Sequence, residues 1–150
     1  MKDAKQQAID YAHQNAARFL SDLSNLLTIP SVSTSPEHRP DMQRAAQWVA
    51  DFMAKIGLEN VQIHPTGGHP VVYGDWLHAG AGKKTVLFYG HYDVQPAEPL
   101  EKWLSGAFEP EVRGDNLFAR GASDMKGQVL ASLAAVEAVL KQGSLPLNIK

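Results

Sequence analysis

The sequence predicts an α/β protein, and three observations carry that reading. Long segments with apolar residues at helical spacing are set among short apolar runs of strand length. Turn signals rich in glycine and proline separate them, and the most apolar short run, residues 85–89, breaks off into GHYDVQP. Such elements pack as layers, with functional loops gathered beyond the carboxyl ends of the strands.

Residues 3–27 hold Ile9, Ala16, Phe19, Leu20, Leu23, Leu26 and Leu27 on one stripe with no Gly or Pro, which predicts one long amphipathic helix capped by Asp3. IPSVSTSPEHRP, at residues 29–40, reads as a loop. Met42, Ala45, Trp48, Val49, Phe52 and Ile56 then mark a second helix that stops at Gly57. Strands are predicted at residues 61–64, 71–76 and 85–89, the last being apolar enough to sit centrally in a sheet. A proline-rich loop leads to two short strands, at 111–113 and 117–119. Val129, Leu130, Leu133, Val136, Val139 and Leu140 define a third helix over 125–141, closed by Gly143 and Pro146. Residues 147–150 open a further strand.

Composition narrows the function classes. The 150 residues are 44% hydrophobic and 20% charged, the balance of one globular domain with a core. Fourteen Lys and Arg against 16 Asp and Glu, scattered along the chain, argue against a nucleic-acid partner. No apolar run is long enough for a signal peptide or a membrane span, so the expected compartment is the cytoplasm. There is no cysteine, which leaves His, Asp and Glu as the ligands of any metal.

In extended backbone, residues i and i+2 face the same way, so His91 and Asp93 can enter one site while Tyr92 points elsewhere. An imidazole is a good zinc ligand, and a carboxylate on its other nitrogen fixes its tautomer. A bare His-x-Asp more often describes a turn with Asp93 bonded to nearby backbone. Asp124, just before the third helix, could bind a cation, although an isolated Asp there more often caps a helix, and Ser123 competes for that task. Gly121 and Gly127 allow tight backbone around it. Lys126 reads as structural or as a residue behind the ligands, since its charge would repel a metal. The other histidines lack ligand spacing, Trp48 and Phe52 belong to the core, and Trp103 is a packing residue before it is a pocket wall.

Taken together, VLFYGHYDVQP and EKWLSGAFEPEVRGDNLFARGASDMKG resemble the co-catalytic zinc metallopeptidase family of carnosine dipeptidase, glutamate carboxypeptidase, aminoacylase, acetylornithine deacetylase and succinyl-diaminopimelate desuccinylase. The paired N-terminal helices and IPSVS are similar to that family's opening. This ordered match reverses the turn and cap readings.

The resemblance implies a three-layer catalytic domain with a central mixed, largely parallel sheet flanked by helices. Residues 1–150 would be its N-terminal part, with the lid and dimerisation domain and the C-terminal catalytic segment outside the chain. It implies two divalent metal ions, zinc first, with manganese or cobalt possible. His91 would be a metal ligand, Asp124 a bridging ligand, and Asp93 the catalytic carboxylate that orients a ligand, with a cis bond between Asp124 and Met125. The family's general base lies in a Glu-Glu pair, which this chain lacks. Tyr92 and Gln95 favour the dipeptidase branch over the deacylases, whose motif more often reads Gly-His-Thr-Asp-Val-Val-Pro. Ala107 and the LFARG stretch depart from the dipeptidase pattern of Pro-Phe and Leu-Tyr-Gly-Arg-Gly and touch substrate class only. The implied whole enzyme acts on dipeptides or short peptides and is a homodimer.

Overall fold

Asp3 caps the first helix as expected: its Oδ1 accepts from the Gln6 amide at 2.7 Å. The computed structural model describes residues 3–143 and 145–150. The expected single N-terminal helix is in fact two, α1 (Ala4–Gln14) and α2 (Ala16–Leu27). Asn15 separates them with φ −103° and ψ 9°, and its side-chain amide donates to the Tyr11 carbonyl at 2.9 Å. Asparagine competes in this way for backbone groups, and a periodicity stripe does not register it. The break lets the two helices separately meet the helix that carries Glu137: Tyr11 Oη and Arg18 Nη2 both donate to buried Glu137 Oε1, at 2.8 and 2.7 Å.

α3 (Arg39–Ile56) ends where glycine permits a left-handed turn, at Gly57 with φ 100°. It buries Met42, Ala45, Ala46, Val49, Ala50, Phe52 and Ile56, a stripe at the predicted spacing, and Trp48 stacks on Phe52 with ring centroids 5.2 Å apart. α4 (Lys126–Leu140) faces it. Phe52, Ile56 and Leu58 meet Leu130, Leu133 and Val136 in the main core, which Trp76, Leu145 and Ile149 complete.

β1 (Glu59–His64) and β2 (Val71–Asp75) pair antiparallel. β3 (Thr85–Val86) pairs in parallel with β6 (Asn148–Ile149), and β6 joins β2 through a bridge between Ile149 and Trp76. Hydrogen bonding thus runs β1-β2-β6-β3, a mixed sheet over α3 and α4. β4 (Glu111–Arg113) and β5 (Asn116–Phe118) form a separate antiparallel pair.

The run at 85–89 departs from its expected central place. Thr85 and Val86 form β3 and Phe88 N–H donates to Lys150 O at 2.8 Å, while Leu87 is 75% exposed and Tyr89 85%. The segment at 29–40, read as loop, is in contrast partly buried. Ser31 and Val32 are inaccessible, and Val32 bridges Val94 in parallel. No helix among the described residues is long and apolar enough to cross a membrane.

Candidate active site

Two loops meet at the carboxyl side of the sheet. The first, carrying His91 and Asp93, follows the apolar run. It is fixed from both sides: the Val94 amide donates to Ser31 O at 2.9 Å, Ser31 Oγ donates to Tyr92 O at 2.7 Å, and the Tyr92 hydroxyl donates to Pro70 O. Burial, and then the nearby Asp93 charge, push the Tyr92 hydroxyl up to about 12, so it stays a proton donor. Tyr92 points away from the site as the period of two predicts, leaving His91 and Asp93 to share one side.

The second loop leads into α4. Neither Ser123 nor Asp124 caps that helix; no side chain does. Gly121 has φ 87°, and a Cβ there would stand 2.5 Å from Val94 Cγ1; one on Gly127 would stand 2.2 Å from the Ala122 carbonyl oxygen. The bond between Asp124 and Met125 is cis, as the resemblance implies. Lys126 is fully buried and donates through Nζ to Ile29 O at 2.7 Å and Leu26 O at 3.1 Å. Desolvation lowers its ammonium to about 8, against the raising influence of Asp41 and Asp93. Of the two readings the sequence left open, these bonds to backbone carbonyls favour the structural one.

The three expected residues come together. His91 Nδ1 lies 3.0 Å from Asp93 Oδ1 and 3.2 Å from Asp93 O, and His91 Nε2 lies 3.1 Å from Asp124 Oδ1. With the ring proton on Nδ1, where Asp93 accepts it, two lone pairs face each other between Nε2 and Oδ1. That arrangement calls for a proton or a cation between them. The Asp124 side chain is 79% exposed, so its other oxygen remains open to a second ligand.

Sequence reasoning missed two neighbours. Ser33 Oγ donates to Asp93 Oδ2 at 2.5 Å, extending the chain of contacts to Ser33–Asp93–His91–Asp124. His69 Nε2 contacts Ser33 O at 2.8 Å and lines the same cavity as His91 and Asp93. Neither position carries a spacing signal, because both reach the site through tertiary packing of distant loops. Among the described residues no group of three or more His, Asp or Glu is placed to hold a metal. Trp103 packs rather than walls the cavity: its indole donates to Ala97 O at 2.8 Å and the Arg120 guanidinium lies over its ring.

The chain is thus an α/β domain, a mixed sheet over helices with an imidazole and two carboxylates gathered after a parallel strand. The family described as Peptidase family M20/M25/M40 matches residues 87–150. Cysteinylglycine-S-conjugate dipeptidase of Corynebacterium striatum is 32% identical over 136 residues, taking in 91% of this chain and 30% of the relative. Succinyl-diaminopimelate desuccinylase of Thioalkalivibrio sulfidiphilus is 35% identical over 119 residues, 73% of this chain and 30% of that protein. The crystal structure of human carnosine dipeptidase 1 superposes with a TM-score of 0.84 at 30% identity, over 99% of this chain and 34% of that one. By sequence and by fold the chain is a relative of the M20/M25/M40 peptidases. It spans about a third of the length of these relatives.

Proposed function

We propose that this chain contributes the N-terminal part of a metallopeptidase catalytic domain that hydrolyses dipeptides or short peptides. The observation that supports this most is the contact of His91 Nε2 with Asp124 Oδ1 while Nδ1 is held by Asp93. His91 and Asp124 would hold metal, Asp124 as the ligand shared between two ions. Asp93 keeps the imidazole oriented and basic toward the metal side, and Ser33 keeps Asp93 in place. Two divalent ions, zinc or in its stead manganese or cobalt, would supply a water of lowered pKa and a polarised scissile carbonyl. The lid domain and homodimer of the resembled family belong to this reading of the whole enzyme.

One imidazole and one carboxylate fall short of the roughly four ligands of a closed zinc site, so the 150-residue chain alone is expected to bind metal weakly and turn nothing over. Cobalt(II) absorption titration tests the site. Wild-type chain should bind weakly, and His91→Ala and Asp124→Asn should each abolish the signal; an unchanged titration in both would remove these residues from the metal site. Similarity to a desuccinylase favours a second reading, hydrolysis of N-acyl amino acids. Assays of dipeptides and of N-acetyl and N-succinyl amino acids, with and without chelator and beside an intact mass, separate the two. Chelator-sensitive release of free amino acids from dipeptides supports the peptidase; acyl release alone moves the assignment; turnover at 16.4 kDa overturns the half-site.

A further inference from the structure

The loops that carry His91 and Asp124 touch each other directly at two points, and at both a glycine makes the room. Gly121, three residues before Asp124, lies against Val94, the residue after Asp93. Gly90, immediately before His91, lies against Val129 and Met125, and Met125 directly follows Asp124. A Cβ on Gly90 would stand 2.6 Å from Val129 Cγ2, 3.5 Å from Met125 Cε and 3.8 Å from Met125 Sδ.

The two glycines differ in what an added methyl would do. Gly121 has φ 87°, so a side chain there strains the backbone whatever space it finds. Gly90 has no left-handed φ, and an alanine meets only the contact. Of its neighbours Met125 can yield, because an unbranched thioether has several rotamers open to it. Val129 cannot. It stands at the start of α4 with its amide bonded to Met125 O at 3.0 Å, and a β-branched side chain in a helix is nearly confined to one χ1. Restoring an ordinary carbon contact from 2.6 Å takes about 1 Å of movement. α4 is held in the core by Leu130, Leu133 and Val136, whereas Gly90 is exposed, so the histidine loop is the side that moves.

We propose that Gly90 is a positioning residue. Beyond the hydrogen bonds that tie both loops to residues 26–33, its missing side chain lets the backbone entering His91 rest on Val129. That contact sets how closely His91 Nε2 approaches Asp124 Oδ1, 3.1 Å in the structure. The spacing matters because two ligands of one tetrahedral ion, each about 2 Å from it, stand about 3.3 Å apart. An opening of about 1 Å would leave the pair too wide to share an ion. The inference rests on the reading of His91 and Asp124 as metal ligands, yet the spacing itself is measurable without metal.

Gly90→Ala, Val129→Ala and the double variant are compared with the unaltered full chain in two measurements. Without metal, the NOE between the His91 ring protons and Asp124 Hβ follows the spacing; cobalt(II) absorption titration follows affinity. Gly90→Ala should weaken the NOE about threefold, for a displacement of about 1 Å, and cobalt binding about tenfold. Val129→Ala alone should change neither, and in the double variant it should return both to within about twofold of the unaltered chain. A merely structural role would lower the urea midpoint and leave the NOE of the folded protein where it was. An unchanged NOE in Gly90→Ala, or no rescue in the double variant, would overturn the proposal. The expected NOE changes, with equal cobalt affinity in the unaltered chain and in His91→Ala, would uphold Gly90 as the spacer and remove the metal-ligand reading instead. Should Gly90→Ala alone not fold, the comparison moves to the Val129→Ala background. There Gly90→Ala should match its parent in both measurements, and Gly90→Val, which puts the lost methyls back across the contact, should bind cobalt about tenfold more weakly; equal binding by both would overturn the proposal.

Discussion

The two loops that meet at His91 and Asp124 are held by opposite means, yet to the same support. The histidine loop is held by hydroxyl and amide hydrogen bonds to Ser31 and Ser33. The Asp124 loop is held by close packing at Gly121 and Gly127 and by a buried lysine that reaches the Leu26 and Ile29 carbonyls. Residues 26–33 are therefore the common platform, and the distance between His91 and Asp124 is set through it. A network of separate hydrogen bonds fails by increments of about 1 kcal/mol, whereas a buried, packed anchor fails in one larger step.

That contrast is sharpest at Lys126. Replacing it with Ala deletes a fully buried stem, leaves a cavity and removes two hydrogen bonds, so Lys126→Ala should cost about 2–4 kcal/mol in urea unfolding. A cost below that of any serine substitution would break the comparison. Ser31→Ala, on the histidine side, removes one buried hydrogen bond to Tyr92 O and should cost about 1 kcal/mol. Ser33→Ala should change stability least, because Asp93 remains partly open to water. Its effect should appear in cobalt(II) titration, as roughly tenfold weaker binding once Asp93 is free to turn from His91. Unaltered affinity would reduce Ser33 to a surface contact.

Much of the scaffold was legible. The stripes of α3 and α4, the Asp3 and Gly57 caps, the short strands and the opening strand at 147–150 follow from spacing and turn chemistry, which act locally. That His91 and Asp93 face one side was legible for the same reason; that Asp93 is the carboxylate on the imidazole was not. The division at Asn15 was not, since one side-chain bond to a backbone carbonyl leaves the apolar period intact. Nor was the platform: a Ser- and Pro-rich stretch reads as a surface loop, and nothing local marks Ser31 as inaccessible.

The sequence by itself determined which residues can do chemistry here. Without cysteine only His, Asp and Glu can hold a metal, and the two-residue spacing puts His91 and Asp93 on one side of the chain. Tertiary structure alone decided that Asp124 meets His91 and that Ser33 and His69 join them. Periodicity reports which face of one element is apolar. Contacts between residues 33, 69, 91 and 124 depend on how separate loops are brought to one support.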